Sequence, residues 1–392
     1  MRAAAVICEY NPFHFGHLKQ FEALKGEYDA VIGVMSGDAV QRGEAAIADK
    51  YVRARAAVEN GLDAVFSLPF PHCCASASDF ARAGVYVAAS LGADALAFGV
   101  EDDFARVERA FAVVGAPGFS DALDALIRRE KTLSYPKAVG RLAGAETAAL
   151  LQKPNNILAV EYLRALRELR APLRAAPVPR DGTLASSSSL RALLFDSGRD
   201  AFLRALPEGS RRVYGALDGA AFPRDTERLS RALLLLLRGG RADLSGLYGT
   251  GGGLGERMVR AAAEADSLSA LVARCRSAGF TDARVRRAAL AALLDIRREA
   301  VRRLPAYTLL LAMNATGRAW LRTRRPSLPV VTKPARAAAA GEAAAAAFEA
   351  ETRAEALLAL AAPQPQRGDT CRRTPFVCGA RPSGGTEQEY DF

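Results

Sequence analysis

Short apolar runs alternate with helical patterns through the first half of the chain. Five runs predict buried strands, at residues 3–8, 30–34, 63–68, 95–101 and 176–178. Continuous apolar runs of this length are typical of parallel strands that helices cover on both faces. Between them, residues such as Leu18, Phe21 and Leu24 recur at helical spacing. The pattern therefore predicts an α/β fold with a parallel sheet over residues 1–195.

The second half of the chain has a mainly helical pattern. Apolar residues recur at three- and four-residue intervals over 229–237, 257–273 and 285–303, and the alanine-rich segment 337–362 predicts a helix broken near Gly341. The glycines of 249–255 lack the Lys-Ser/Thr ending of a phosphate loop and predict a flexible connection. We therefore expect a helical domain over 200–362 and a poorly ordered tail over 363–392.

Length and composition fit a globular protein of two domains. The chain has 392 residues, of which 50% are hydrophobic and 24% charged. It contains no apolar run of about 18 residues, and the first strand begins at once, so we expect neither a membrane partner nor a signal peptide. The six cysteines lack C-x-x-C spacing, and all three histidines precede residue 73. This argues against a zinc site and a disulfide framework, and for a reducing, cytoplasmic location.

The net charge of +10 is concentrated in the second half of the chain. A basic helical domain suits a polyanion such as RNA, because phosphate contacts supply most of the affinity. A solvated arginine-rich surface explains the charge alone equally well. The arginines concerned are Arg211, Arg212, Arg284, Arg286, Arg287, Arg297, Arg298, Arg302, Arg303, Arg322, Arg324 and Arg325.

One motif carries specific chemistry, the H-x-G-H formed by His14, Gly16 and His17 directly after the first strand. An α/β sheet binds ligands outside the carboxyl ends of its strands, and a helix start there favours a phosphate. Gly16 lets the backbone approach a ligand, and imidazoles can donate to phosphoryl oxygens. The motif predicts a nucleotide site; the alternative is two surface histidines beside a turn glycine.

Further motifs follow in order along the chain. They are E-Y-N-P-F-H-F-G-H at 9–17, M-S-G-D-A-V-Q-R-G at 35–43, D-K-Y-V-R-A at 49–54, F-G-V-E at 98–101, P-N-N-I-L-A-V-E-Y at 154–162 and A-S-S-S-S-L-R at 185–191. Together they resemble the bacterial tRNA(Met) cytidine acetate ligase family of the H-x-G-H nucleotidylyltransferase superfamily. The resemblance is tight up to Arg191 and looser after it.

The resemblance implies a Rossmann-like nucleotidylyltransferase domain and a two-stage reaction. Acetate attacks the α-phosphorus of ATP to give acetyl-adenylate and pyrophosphate, with Mg²⁺ expected on the phosphates. The amine of the wobble cytidine of elongator tRNA(Met) then takes the acetyl group, giving N4-acetylcytidine. The expected partners are ATP, acetate and tRNA, without DNA. Both nucleophiles belong to substrates, so catalysis should rest on orientation and charge stabilisation.

The same resemblance assigns residues to ATP. His14 and His17 are the expected catalytic donors, and no side chain is expected to ligate metal. The aromatic side chains of the first segment are expected to pack rather than stack on a base. The expected ATP contacts are Ile7, Cys8, Glu9, Tyr10, Asn11, Pro12, Phe13, His14, Phe15, Gly16, His17, Leu18, Lys19, Gln20, Gly99, Asn155, Arg180, Asp181, Ser186, Ser188 and Arg191.

Several of these assignments have a structural alternative. Gly99 would admit adenine or ribose, but it also fits an ordinary turn. Asn155 would hold adenosine or cap a helix. The serine run from Ser186 caps a helix in either case, and that helix start would bind the β- and γ-phosphates.

Weaker expectations concern the other substrates. Ser36, Asp38 and Arg42 are expected near acetate or cytidine, although a strand-end loop could use them structurally. The expected tRNA contacts are Arg286, Arg287, Arg302 and Arg303. Ser67, where the family has glutamate, and the shortened segment after Arg180 are expected at the pocket rim.

Two other functions stay open at this point. A small-molecule adenylyltransferase would share H-x-G-H, but it has no need of a basic helical second domain. An RNA-binding protein with a degenerate nucleotide site is the other alternative. The intact His14, His17 and Arg191 count against it, whereas the shortened segment after Arg180 favours it.

Overall fold

The computed structural model describes residues 1–130, 133, 135–240, 243–369 and 373–378, with backbone only at 135 and 136. Ten strands lie within these residues. They are β1 Ala3–Cys8, β2 Ala30–Ser36, β3 Ala39–Val40, β4 Glu44–Ala45, β5 Ala64–Leu68, β6 Ala95–Val100, β7 Arg174–Pro179, β8 Thr308–Met313, β9 Val330–Val331 and β10 Phe376–Val377.

The described helices follow the predicted alternation. They are α1 Phe15–Lys25, α2 Lys50–Glu59, α3 Ala77–Ser90, α4 Phe104–Val114, α5 Phe119–Arg129, α6 Tyr135–Ala143, α7 Ala145–Leu150, α8 Pro154–Glu168, α9 Ser187–Ser197, α10 Arg199–Arg204, α11 Glu208–Gly215, α12 Ser230–Arg238, α13 Leu254–Ala262, α14 Leu268–Cys275, α15 Asp282–Leu294, α16 Arg298–Arg302, α17 Ala315–Arg322 and α18 Glu342–Leu358. Short 3₁₀ segments lie at His72–Cys74, Thr226–Leu229, Pro334–Ala340 and Ala359–Ala361.

Among the described residues, one large sheet organises the molecule in the order β10-β8-β5-β2-β1-β6-β7, with β9 beside β8. Its pairs are parallel except β5 with β8. β1 pairs with β2 on one side and β6 on the other, so the direction of strand order reverses at β1. In an open α/β sheet the crevice at such a reversal is the ligand-binding position. The predicted α/β sheet is confirmed, and H-x-G-H follows its central strand.

Successive residues of β1 enter opposite cores of the sheet. Ala3, Ala5 and Ile7 join the core on one face, and Ala4 and Val6 join the core on the other. This alternation explains why the strand has no polar position: helices cover both faces. A separate core, built from α12 to α15, confirms the helical pattern after residue 200.

The structure corrects four expectations for the second half. The predicted helix 257–273 is two helices, α13 and α14. The predicted helix 285–303 is also two helices, α15 and α16, because Asp295 adopts a left-handed conformation at the end of α15. Within the expected helical domain, β8 is a fully buried strand beside β5. In the expected tail, β10 pairs with β8, because two apolar residues can complete a sheet edge. The tail residues 370–372 and 379–392 lie outside the described part.

Ser67 is also not at a pocket rim. It is fully buried in β5, where its hydroxyl accepts the Leu309 N–H at 2.9 Å. The Thr308 hydroxyl donates to the Ser67 carbonyl at 2.6 Å. The serine therefore fastens β5 to β8 at the irregular part of their pairing.

In the described part of the chain, no single helix is long and apolar enough to cross a membrane. The bent pair Phe104–Val114 and Phe119–Arg129 passes such a test only when its members are taken together.

Candidate active site

The two histidines of H-x-G-H cap the first helix together. The Gly16 N–H donates to Nδ1 of His14 at 3.0 Å, and the His14 N–H donates to Nδ1 of His17 at 3.3 Å. The imidazole rings stack with centroids 3.8 Å apart. An Nδ1 that accepts a hydrogen bond carries no proton, so each neutral ring carries its proton on Nε2. The cap thus fixes the tautomer that makes Nε2 a donor.

Both rings are held in the neutral form. Burial, followed by Arg180, lowers the pKa of His14 to about 4. Burial lowers the pKa of His17 well below its usual value, and His14 and Arg180 act in the same direction. At neutral pH each uncharged imidazole still has a proton on Nε2 to donate. Neither ring carries a positive charge, which would be unfavourable in a buried pair.

Gly16 is required by this geometry. A Cβ at this position would lie 2.9 Å from Cε1 and 3.1 Å from Nδ1 of His14. Any side chain would therefore push the imidazole off the helix start. The glycine serves the histidine cap directly, in addition to any approach of a ligand.

The aromatic residues of the segment pack behind the histidines. The Tyr10 ring lies 4.9 Å from those of Phe13 and His17, and both Tyr10 and Phe13 are buried. Their side chains therefore support His17, as expected for packing residues. Phe15, in contrast, is 45% exposed at the first position of α1.

Helix α9, which begins in the serine run, contacts the histidine loop, the segment 9–17 that carries His14 and His17. Ser186 caps α9 and forms a capping box with Ser189. The Ser187 hydroxyl donates to the Pro12 carbonyl at 3.4 Å, and Arg191 Nη1 donates to the Asn11 carbonyl at 3.0 Å. The starts of α1 and α9 consequently lie side by side, with Ser188 in the first turn of α9. Two adjacent helix starts direct free N–H groups and positive dipole ends to one place, an arrangement that favours an anion.

Arg180 and Asp181 follow β7 at the same edge of the sheet. The Arg180 side chain lies over Gly99, where a Cβ would approach its Cγ to 3.0 Å. Gly99 therefore makes room for this arginine, which explains the glycine without invoking adenine or ribose. Asp181 pairs with Lys19 of α1 at 2.9 Å.

Asn155 does not cap its helix, because Lys153 occupies that position of α8. The Asn155 amide donates to the Glu101 carboxylate at the end of β6. The neighbouring Asn156 is fully buried, where it accepts the Glu101 N–H at 3.0 Å and donates to Asp102 at 2.6 Å. The asparagine pair thus organises the strand end, and Asn156 was missed by the sequence prediction.

Two of the expected acetate or cytidine contacts are occupied by other groups. Asp38 is buried and accepts from Lys50 Nζ at 3.0 Å and from Arg224 at 2.8 Å. Burial acts in the other direction, but these cations hold the pKa of Asp38 well below its usual value. The Ser36 hydroxyl is buried and donates to the Cys73 carbonyl at 3.4 Å. Of the three candidates, Arg42 is the exposed one.

Lys50 and Arg53 were not assigned from the sequence, although D-K-Y-V-R-A signalled both. Lys50 is buried within 3.5 Å of carboxylates from Asp38, Glu351 and Glu355. Arg53, also fully buried, donates to the carbonyls of Glu9, Ser36 and Gly37. It therefore ties together the chain ends that leave β1 and β2.

The expected tRNA contacts fall into two groups. Arg287 donates to the Gln41 carbonyl at 3.2 Å, and Arg286 lies 3.7 Å from the Glu44 carboxylate. These two residues of α15 thus hold the turn between β3 and β4 instead of lying on an open surface. Arg302 and Arg303, at the end of α16, are exposed.

The chain is similar to known proteins over most of its length. A family model described as HIGH Nucleotidyl Transferase matches residues 1–372. A tRNA(Met) cytidine acetate ligase from Syntrophotalea carbinolica is 36% identical over 362 residues, 86% of each chain. One from Caldanaerobacter subterraneus subsp. tengcongensis is 30% identical and covers 86% of this chain and 89% of its own length. The chain belongs to the tRNA(Met) cytidine acetate ligase family.

A solved structure agrees with this family. Crystalline Thermotoga maritima TmcAL bound with alpha-thio ATP superposes with a TM-score of 0.87, at 25% sequence identity. The match covers 96% of this chain and 99% of that one. The sheet, its helices and the helical second half are therefore the architecture of the ligase family, which confirms the resemblance seen in the motifs.

Proposed function

We propose that this chain is an ATP-dependent ligase that activates acetate as acetyl-adenylate and acetylates the wobble cytidine of elongator tRNA(Met). The observation that carries the proposal is the stacked His14–His17 pair, with both Nδ1 atoms engaged at the helix start and both Nε2 protons available. The substrates are inferred from the family to which the chain belongs. The charge distribution supports RNA as one of them.

In the first stage, acetate attacks the α-phosphorus and pyrophosphate leaves. The Nε2 donors of His14 and His17 would stabilise negative charge that develops on the phosphoryl oxygens. The joined starts of α1 and α9 would hold the remaining phosphates, with Arg180 as a further cation. The histidine donors and the two helix starts are fixed before ATP arrives, so little reorganisation is needed there during the reaction.

Mg²⁺ belongs to this proposal as a companion of ATP. Among the described side chains, no group of three His, Cys, Asp or Glu is arranged to hold a metal. The ion would therefore be carried by phosphate oxygens and water, as is usual for Mg²⁺ with nucleotides. It would neutralise charge on the departing pyrophosphate.

We further propose a division of labour in which residues 1–195 activate acetate and the helices after residue 200 hold tRNA. Arg302 and Arg303 are exposed there and free of the contacts that engage Arg286 and Arg287. A reducing, cytoplasmic location completes the proposal, since the described cysteines are free thiols.

Acetate-dependent exchange of labelled pyrophosphate into ATP tests the first stage without RNA. We expect His14→Ala and His17→Ala each to lower the exchange rate on the order of a hundredfold, a few kcal/mol of transition-state stabilisation. His14→Asn is the matched control for folding, since asparagine caps helices well but does not reach the position of Nε2. A His14→Asn variant with wild-type exchange would contradict the donor role.

A further inference from the structure

Gln41 holds a hydrogen-bond donor that its own surroundings leave unused. It follows β3 in the turn that leads to β4. Its side-chain Nε2 is buried, and no group among the described residues accepts a hydrogen bond from it. A buried donor without an acceptor is unfavourable, and such a group in a native protein calls for an explanation such as a ligand that completes the bond.

The Gln41 backbone is fixed on both sides, which limits the positions that its side chain can reach. Its N–H donates to Glu9 Oε1 at 2.7 Å, and its carbonyl accepts from Arg287 at 3.2 Å. The next strand is also anchored, because the Ala45 N–H donates to the Thr226 hydroxyl at 2.8 Å. The turn is thus held between the catalytic strand β1 and the helical half of the chain.

Glu9 adds an acceptor whose carboxylate lies against the Gln41 backbone. It directly follows β1, and Arg53 holds its carbonyl. Burial raises the pKa of Glu9, while the Gln41 N–H, Arg191, Arg42 and Arg53 oppose that rise. A carboxylate has more lone pairs than its bond to the Gln41 N–H uses, so it can accept from a substrate as well.

A donor and an acceptor on two residues in contact are the groups that one edge of cytosine requires. The exocyclic N4 amine is a donor, for which carboxylates are the usual partner, and the ring N3 next to it is an acceptor. Uracil presents the reverse, an acceptor at O4 and a donor at N3. Proteins commonly read an unstacked base through this edge.

We propose that Glu9 and Gln41 form the cytosine-reading pair, with the Gln41 amide donating to N3 and the Glu9 carboxylate accepting from the N4 amine. This inference rests on the proposed function and names the residues that select its RNA substrate. Glu9 begins the segment that leads to His14 and His17, and Arg287 of α15 donates to the Gln41 carbonyl, so the pair contacts both halves of the chain. It fixes the nucleophile in position without taking part in phosphoryl chemistry.

The test compares binding of two transcripts, tRNA(Met) and the same tRNA with uridine at the wobble position. Wild-type protein is expected to prefer the cytidine transcript by about tenfold or more, the usual range for a bidentate base contact. Gln41→Leu should remove most of that preference. Gln41→Glu, which keeps the size of the side chain and replaces the donor with an acceptor, should remove it too. Gln152→Leu, at an exposed glutamine, is the control and should keep the preference.

A second readout separates substrate reading from a structural role. The rate of acetyl transfer to tRNA, divided by the rate of acetate-dependent pyrophosphate exchange, should fall at least tenfold in Gln41→Glu. Retention of the cytidine preference in both Gln41 variants would overturn the proposal. A Gln41 variant that keeps the cytidine preference but has a raised KM for acetate in the exchange reaction would also overturn it, because the Gln41 amide would then bind acetate. A wild-type protein that transfers acetyl to neither transcript would refute the proposed function itself.

Discussion

At the scale of single residues, the helix cap formed by His14 requires a glycine at position 16. Gly16→Ala would place a Cβ 2.9 Å from the His14 ring. We expect the imidazole to move and acetate-dependent pyrophosphate exchange to fall at least tenfold, about 1.4 kcal/mol or more of transition-state stabilisation. Gly219→Ala is the matched control, since nothing lies within 4 Å of a Cβ there. Equal exchange rates in the two variants would show that the cap does not position His14.

A second residue-scale prediction concerns the buried His72. Burial lowers its pKa to about 4, with Asp79 opposing and Arg82 assisting. The unfolded chain, with a pKa near 6.5, therefore binds this proton first. The contribution of neutral His72 to stability is complete above about pH 6.5 and is lost as the pH falls toward 4.

Urea unfolding at pH 7 and pH 5 measures this effect. His72 should account for about 2 kcal/mol of the stability that the wild type loses between these two values. His72→Asn should reduce the loss by that amount, because carboxylates titrate alike in both proteins. If the two proteins lose equal stability on acidification, His72 is not held neutral by the fold.

At the scale of elements, local sequence patterns predicted five strands of the sheet but not β8 and β10. β1, β2, β5, β6 and β7 were predicted because each is an apolar run bounded by turn residues. β8 is as apolar as these strands, but its antiparallel partner β5 lies far away in sequence. The two-residue strand β10 carries almost no local signal, since only pairing with β8 defines it.

The contact between the turn after β3 and helix α15 can be tested at one glycine. Gly43 has φ +77°, and a Cβ there would overlap the Arg287 backbone nitrogen. Gly118 has φ +79° with nothing within 4 Å. Alanine at either position is strained by about 1–2 kcal/mol, so their difference isolates the contact with α15.

We expect Gly43→Ala to lower the free energy of unfolding by at least about 1 kcal/mol more than Gly118→Ala, as is usual for overpacking against backbone. It should also slow acetyl transfer, because the turn carries Gln41. Chemical denaturation and the transfer assay measure the two effects. Similar destabilisation by both substitutions would mean that the turn and α15 are not rigidly packed.

At the scale of the whole molecule, the sequence predicted the local structure around the two histidines well and the long-range contacts of the charged residues poorly. The structure around H-x-G-H could be predicted from the sequence, because the strand, the turn and the helix cap are contiguous in the chain. The role of Arg287 depends on a carbonyl 246 residues away, which charge counting cannot detect. The same holds for Asp38, whose partner Arg224 comes from the other half of the chain.

Reversing charge at Arg302 and Arg303 to glutamate tests the division between the halves. We expect weaker tRNA binding and a salt dependence whose log–log slope falls by about 1.5 to 2, because two fewer phosphate contacts release counterions. Pyrophosphate exchange should persist, since the histidine site is untouched. The exposed pair Arg128 and Arg129 on α5 is the matched control. An unchanged salt slope in the Arg302–Arg303 variant would show those arginines to be an ordinary solvated face.

The proposed function is tested most directly by one incubation of the purified protein with ATP, Mg²⁺, labelled acetate and total bacterial tRNA, followed by nucleoside analysis. We expect label in N4-acetylcytidine from the wobble position of elongator tRNA(Met), dependent on ATP and abolished by His14→Ala. Acetate-dependent pyrophosphate release without label in RNA would contradict it and indicate a small-molecule adenylyltransferase. Binding of tRNA without any turnover of ATP would contradict it as well, and would identify a degenerate nucleotide site.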